Sequence, residues 1–181
     1  MCRFVYFFSE NKIEIGERLV PVHNDGEGWS QYKTRMERAL ENVRQSEERF
    51  SSYPSRYNCH YLAATEISAN EWCRAMKIHV WRDRRMPVRY YIYRASTLQS
   101  VHWFNAGLFM QGEIMADYVG RPEGDYDNIA RRYWSSAHDN STCETDEIEG
   151  LTDSPITIES RKYMELDTNG NYYEIAENNQ S

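Results

Sequence analysis

Five histidines (His23, His60, His79, His102, His138) and four cysteines (Cys2, Cys59, Cys73, Cys143) are the first places to look for chemistry. The histidines show no dyad spacing, and no serine or cysteine sits in a nucleophile elbow. Cys59-His60 with Cys73 and His79 is the one cluster worth testing for zinc, and its spacing fits no zinc pattern. Without a C-x-x-C pair, the thiols read as reduced and mostly buried, as in a cytosolic protein. No G-x-G-x-x-G opens a helix and no G-x-x-x-x-G-K is present, so nothing in the sequence supports Rossmann or P-loop chemistry. Two features remain. Arg56 follows Pro54-Ser55, where an arginine can pin a phosphate or anchor the preceding helix. The run Glu144-Thr145-Asp146-Glu147-Ile148-Glu149 is either a solvated loop or the start of a strand. On a strand, Glu147 and Glu149 would project to one face.

The elements that must position these residues are legible in outline. Residues 3–8 read as a buried strand, and Glu17 to Val20 as a short extended piece after Gly16. Ser30 can cap a helix over 31–50, whose apolar stripe is Tyr32, Met36, Ala39, Leu40 and Val43. Its other face is charged, with Glu37 and Glu41 beside neighbouring arginines. Pro54 ends that helix and drives Tyr53 towards extended backbone. Tyr57 to Ala63 reads as a strand, 69–77 as a short helix, and Val88 to Arg94 as a strong strand. The spacing predicts helical or irregular structure over 98–118 and a helix over Asp125 to Trp134. Short strands are expected at Glu147 to Leu151 and Pro155 to Met164. Asn169-Gly170-Asn171 signals a turn, so 167–181 is a tail or a last hairpin strand. Strands broken by irregular pieces, with few helices, indicate an α+β domain. Tyr133-Trp134 is expected in the core and not as a base-stacking pair. His102 beside Trp103 is expected to be structural.

Composition narrows the function. The 181 residues carry a net charge of −7, with 40% hydrophobic and 14% aromatic residues. That suits one ordered domain, placed at 1–166. The acidic balance argues against generic nucleic-acid binding. The basic run Arg82-Asp83-Arg84-Arg85 is read as a loop flanking a strand. No run is long and apolar enough for a membrane span, and the short apolar start lacks a cleavage pattern, so a cytoplasmic location is expected.

Two stretches resemble a known family. Tyr53-Pro54-Ser55-Arg56-Tyr57-Asn58-Cys59-His60-Tyr61-Leu62-Ala63, followed by Glu66 to Trp72, is similar to a passage of the DUF2441 type, a family of uncharacterised bacterial and phage proteins. Ala130-Arg131-Arg132-Tyr133-Trp134, a polar loop, then Glu147 to Leu151 and Pro155 to Ile158, resembles that family's helix end and closing strands. The layout also resembles the ADP-ribosyltransferases. That resemblance implies two small packed antiparallel sheets with flanking helices around a cleft that clamps NAD as substrate, with no metal. The implied activity is ADP-ribosyl transfer to a protein, nucleic acid or small molecule, or NAD cleavage. Carried over by position, Glu149 is the late glutamate, with Glu147 completing a Glu-x-Glu pair. Arg3 or Tyr6 serves from the first strand, where no histidine stands. Arg56 grips the diphosphate and Tyr61 takes the middle-strand position. Two other classes compete: a non-catalytic acidic protein that blocks a host or defence factor by binding a basic partner, and a nucleotide-binding module on a degenerate transferase fold. Convergence of Glu149, Arg3 and Arg56 on one cleft separates them.

Overall fold

In the computed structural model, which describes residues 3–24, 26, 31–84, 86–109, 124–137 and 148–177, the architecture follows from one strand. Strand β4 (Val88–Thr97) is apolar on both faces, so both must be covered. It pairs antiparallel with β1 (Arg3–Ser9) on one side and β7 (Ile156–Leu166) on the other. The two-residue β2 (Arg18–Leu19) and the three-residue β8 (Tyr172–Glu174) both add to β7, completing a five-stranded large sheet. A small sheet has the order β3 (His60–Leu62), β6 (Ile148–Thr152), β5 (His102–Asn105), again antiparallel. The sheets are joined through paired backbone bonds between Tyr6 and Ala63, at 2.9 and 2.7 Å. The protein is therefore α+β, with two antiparallel sheets and few helices.

Three apolar clusters fill the layers. Helix α2 (Glu66–Arg84) covers one face of the large sheet, where Ala69 and Cys73 meet Tyr90, Ile92 and Met164. The other face meets the small sheet through Val5, Tyr93, Ala95, Leu62, Trp103 and Ile156. The far face of the small sheet, carrying Phe104 and Leu151, is covered by α1 (Gln31–Ser46) and α3 (Gly124–Ser135). No helix among the described residues is long and apolar enough to cross a membrane.

Gly150 marks the tightest point between the layers. A methyl group there would lie 2.7 Å from both Trp103 Cζ3 and Val101 Cγ1. Trp103 is 1% exposed and Val101 1%, so neither can move into solvent. Gly150→Ala is expected to lower stability by about 1–3 kcal/mol through overpacking. A urea unfolding midpoint equal to that of the native protein would sink this prediction.

Several boundaries differ from the sequence reading. Helix α1 ends at Ser46 and a separate 3-10 turn spans Glu48–Phe50. The expected strand from Tyr57 begins instead as a 3-10 turn, Arg56–Asn58, capped by the Ser55 hydroxyl accepting from Tyr57 N–H. Helix α2 runs well beyond the expected 69–77, and Arg82-Asp83-Arg84 lies in its last turn and not in a loop. The strand β5 falls inside a stretch expected to be helical or irregular; four residues are too few to show a period of two. Residues 167–174 form a hairpin with β7, turned at Gly170 with φ +85°. The hydroxyl of Tyr173 and the amides of Asn171 and Asn169 hold the Asp167 carboxyl well below the usual carboxylate range.

Candidate functional site

Helix α1 presents an acidic edge to the chain that follows it. Glu41 receives Arg44 in a two-pronged contact, at 2.6 and 3.0 Å, and also accepts from the Ser55 hydroxyl at 3.1 Å. Arg44 in turn donates to the carbonyls of Ser51 and Tyr53, at 3.3 and 3.2 Å. These contacts fold the Pro54-containing segment back along the helix and turn Arg56 inward.

There the guanidinium meets groups from five other parts of the chain. Its Nε and Nη2 donate to the two oxygens of Glu37 on α1, at 2.7 and 3.1 Å. Its Nη1 donates to Glu149 on β6 and to the Tyr133 hydroxyl on α3, the latter at 2.6 Å. Tyr133 passes the chain on, donating to the same Glu149 oxygen at 2.5 Å. The rings of Tyr61, Phe109 and Tyr133 surround the guanidinium at 4.9, 4.8 and 5.1 Å. Tyr61 also donates its hydroxyl to the Arg56 carbonyl at 2.6 Å. Arg56, Glu37 and Glu149 are 3%, 1% and 5% exposed, so this is a buried network of one cation and two carboxylates.

The electrostatics keep the guanidinium charged and the two phenols neutral. Burial alone would depress Arg56, but the fields of Glu149 and Glu37 outweigh that and hold it well above the ordinary guanidinium value. Burial pushes the Tyr133 and Tyr61 hydroxyls far above the phenol range, so both remain donors. The neighbouring Cys59 thiol is pushed up to about 12, chiefly by burial, and is no nucleophile at neutral pH. What the arrangement offers is a carboxylate fixed by two donors. Such a group can accept a hydroxyl proton in a hydrogen bond or stabilise a developing positive charge.

Residues 10–165 match the model of the family described as Protein of unknown function (DUF2441). The chain belongs to the DUF2441 family. The match takes in the Pro-Ser-Arg turn, the Tyr133-Trp134 helix end and the Glu149 strand of this DUF2441 protein, so the whole network lies inside it. No curated protein matches the chain.

Of the residues singled out in the sequence, three come together: Glu149, Arg56 and Tyr61. Tyr6 does not join them. It packs with Ala63 and Tyr90 in the cluster under α2, two layers away. Arg3 pairs through its backbone with Thr97 at the start of β1. Glu147 lies outside the described residues. Glu149 faces α1 and α3, whereas an apolar cluster lies between the sheets, where the resemblance implied a cleft. Arg56 places its Nε and Nη2 on Glu37 of the preceding helix. Cys59 and Cys73 belong to different clusters, so the zinc candidate does not assemble around them.

Two partners were missed. Glu37 read as part of the solvated face of α1, paired with neighbouring arginines, yet it is buried on Arg56. Its place beside Met36 and Leu40 on the apolar stripe was the available signal. Tyr133 is expected in the core, which it occupies at 0% exposure, and its hydroxyl also serves the network. A buried tyrosine hydroxyl needs a partner, and only the three-dimensional arrangement names it.

Proposed function

We propose that this DUF2441 protein consumes NAD, with Glu149 as the carboxylate that stabilises the ribose as nicotinamide departs. In that step the bond from the ribose carbon to the nicotinamide nitrogen breaks and nicotinamide leaves with the electron pair. The acceptor, water or a nucleophilic group of a target, forms the new bond and releases its proton. The observation that carries the reading is Glu149 held by Arg56 and Tyr133 at the start of a late strand, within a matched family region. Fixing a carboxylate before charge develops removes the cost of reorienting it in the transition state. Arg56 then acts as a positioning residue and not as a diphosphate clamp, because its fork lies on Glu37.

A second reading is favoured by a different observation. Glu149 is 5% exposed and its charge partner Arg56 is 3% exposed, while most of the protein's net charge of −7 resides outside the network. On that reading the network is a structural keystone, and the protein acts by binding a basic partner.

Nicotinamide release from NAD, measured for the protein alone and with cell lysate, decides between them. Glu149→Gln keeps the side-chain shape and removes one buried negative charge. It is expected to lower release by about 100-fold while the protein stays folded. Release unchanged in the variant would rule out Glu149. No release from the native protein under either condition would favour the binding reading.

A further inference from the structure

A second convergence of charged and aromatic groups lies on the large sheet, on the other side of the small sheet from Glu149. On the face that continues outward from the inter-sheet cluster, Phe7, Tyr93, Tyr91 and Tyr163 form a run of rings. Their centroids are 5.0, 5.9 and 4.8 Å apart, with interplanar angles of 20°, 33° and 29°. Tyr93 is buried, whereas Phe7, Tyr91 and Tyr163 are half-buried. At the edge of this run Lys12 and Arg161 meet a single carboxylate, Glu177. Lys12 Nζ lies 2.6 Å from one oxygen and Arg161 Nη2 lies 3.4 Å from the other. The Tyr91 hydroxyl donates to the first oxygen at 3.3 Å.

Three donors from three separate parts of the chain thus surround one anion. Arg161 is itself held in place by donating to the Ile13 carbonyl at 2.9 Å and by Glu14 at 3.1 Å. Lys12 and Tyr91 approach from the loop after β1 and from β4. The anion comes from the segment beyond β8, where Ile175 N–H donates to the Tyr163 carbonyl at 2.9 Å. The side chains of Lys12 and Glu177 are 41% and 30% exposed, and ion pairs this open are individually weak. The carboxylate is therefore exchangeable, while the donors around it are positioned by the sheet.

We propose that Lys12, Arg161 and the Tyr91 hydroxyl form a binding site for a small molecule that carries both a phosphate and an aromatic ring, and that Glu177 occupies its anion position in this structure. A guanidinium, an ammonium and a phenol together suit a phosphate better than a single carboxylate, because a phosphate brings more negative charge and a third acceptor oxygen to the two cations. The half-buried rings of Tyr91 and Tyr163 supply the adjoining aromatic surface for the ligand's ring. Removing Glu177 leaves Lys12 and Arg161 facing Glu14 alone, a local balance that favours an incoming anion. The proposal is independent of the role given to Glu149, since the two sites share no residue.

The test is AMP binding by isothermal titration to the full chain, to Glu177→Gln, and to Glu177→Gln with Lys12→Gln. Thermal melting confirms that each is folded. The native chain is expected to bind AMP weakly and Glu177→Gln about tenfold more tightly, because the site is no longer filled from within. Lys12→Gln in addition should abolish that gain. Equal affinity of the native chain and Glu177→Gln would overturn the proposal, as would a gain that survives Lys12→Gln. Inorganic phosphate binding as tightly as AMP would remove the aromatic part of the site and overturn it as stated.

Discussion

Replacing Arg56 by methionine is expected to cost the fold about 3–5 kcal/mol at neutral pH, the usual penalty for breaking a buried ion pair from one side. Methionine fills much of the same volume among Tyr61, Phe109 and Tyr133, so lost packing is the smaller part. The larger part is that Glu37 and Glu149 are left facing each other without their cation, at 1% and 5% exposure. The sign of the pH dependence follows. Burial without a partner raises a carboxylate's folded pKa above its unfolded value, so the folded state binds protons more tightly. The variant's deficit is therefore largest above the raised folded pKa and shrinks as pH falls towards the unfolded value near ~4.3. Glu149→Gln is expected to cost much less, because it leaves Arg56 still paired with Glu37. Urea unfolding of both variants at pH 7 and pH 5 reads all of this. A methionine variant as stable as the native protein, or one that weakens further at pH 5, would contradict the account. Against a typical total stability of about 5–15 kcal/mol, the expected loss is large enough to leave part of the population unfolded.

Trp134→Ala carries the second large effect, about 3–5 kcal/mol from the cavity left by a fully buried indole. Trp134 is 0% exposed, stacks on Tyr53 at 5.8 Å, and meets Phe104 and Tyr133 edge to face at 5.1 and 4.9 Å. Its Nε1–H donates to the Leu40 carbonyl at 2.8 Å, pinning α3 to α1. Glu37 and Tyr133 sit on those same two helices, so the loss should reach the Arg56 network without touching it. The expected result is a lowered unfolding midpoint together with a weakened near-UV circular dichroism signal, as the aromatic cluster loosens. A variant whose unfolding free energy stays within about 1 kcal/mol of the native value would show that the site can collapse to fill the space.

How far the sequence speaks depends on the length of the pattern. The stripe of α1, the β-branched and aromatic run of β4 and the helix ending at Trp134 are long enough to be recognised, and each is an element of the expected type, although α1 ends early, at Ser46. The four-residue β5 and the turn at Arg56 are too short to do so. Arg56 and Glu149 stand out as residue types, but their meeting does not, because 93 positions separate them and β6 must first pair between β3 and β5. Glu37 is harder still: a glutamate on a mixed-charge helix looks solvated until the chain folds back over it. Glu177 could not be anticipated, since its role depends on β8 pairing with β7 and carrying the following residues along the sheet.

Strand β7 departs from simple alternation at one position. Its pairing with β4 passes from Ile158 opposite Ala95 to Ser160 opposite Arg94, so Glu159 is the extra residue, its carboxylate taking the Ser96 hydroxyl. Before it, Ile156 and Ile158 point to the small sheet; after it, Met164 and Leu166 point to α2. The inserted residue thus lets one continuous strand feed two cores on opposite faces, and it also fixes the strand's index against β4. A slip by one position would bury the exposed side chains of both halves at once, so the pairing has no neighbouring register to fall into. That indexing guards the central pair of the sheet against mispairing during folding, while the β2 and β8 edge, only two and three residues long, offers little for a second chain to add to.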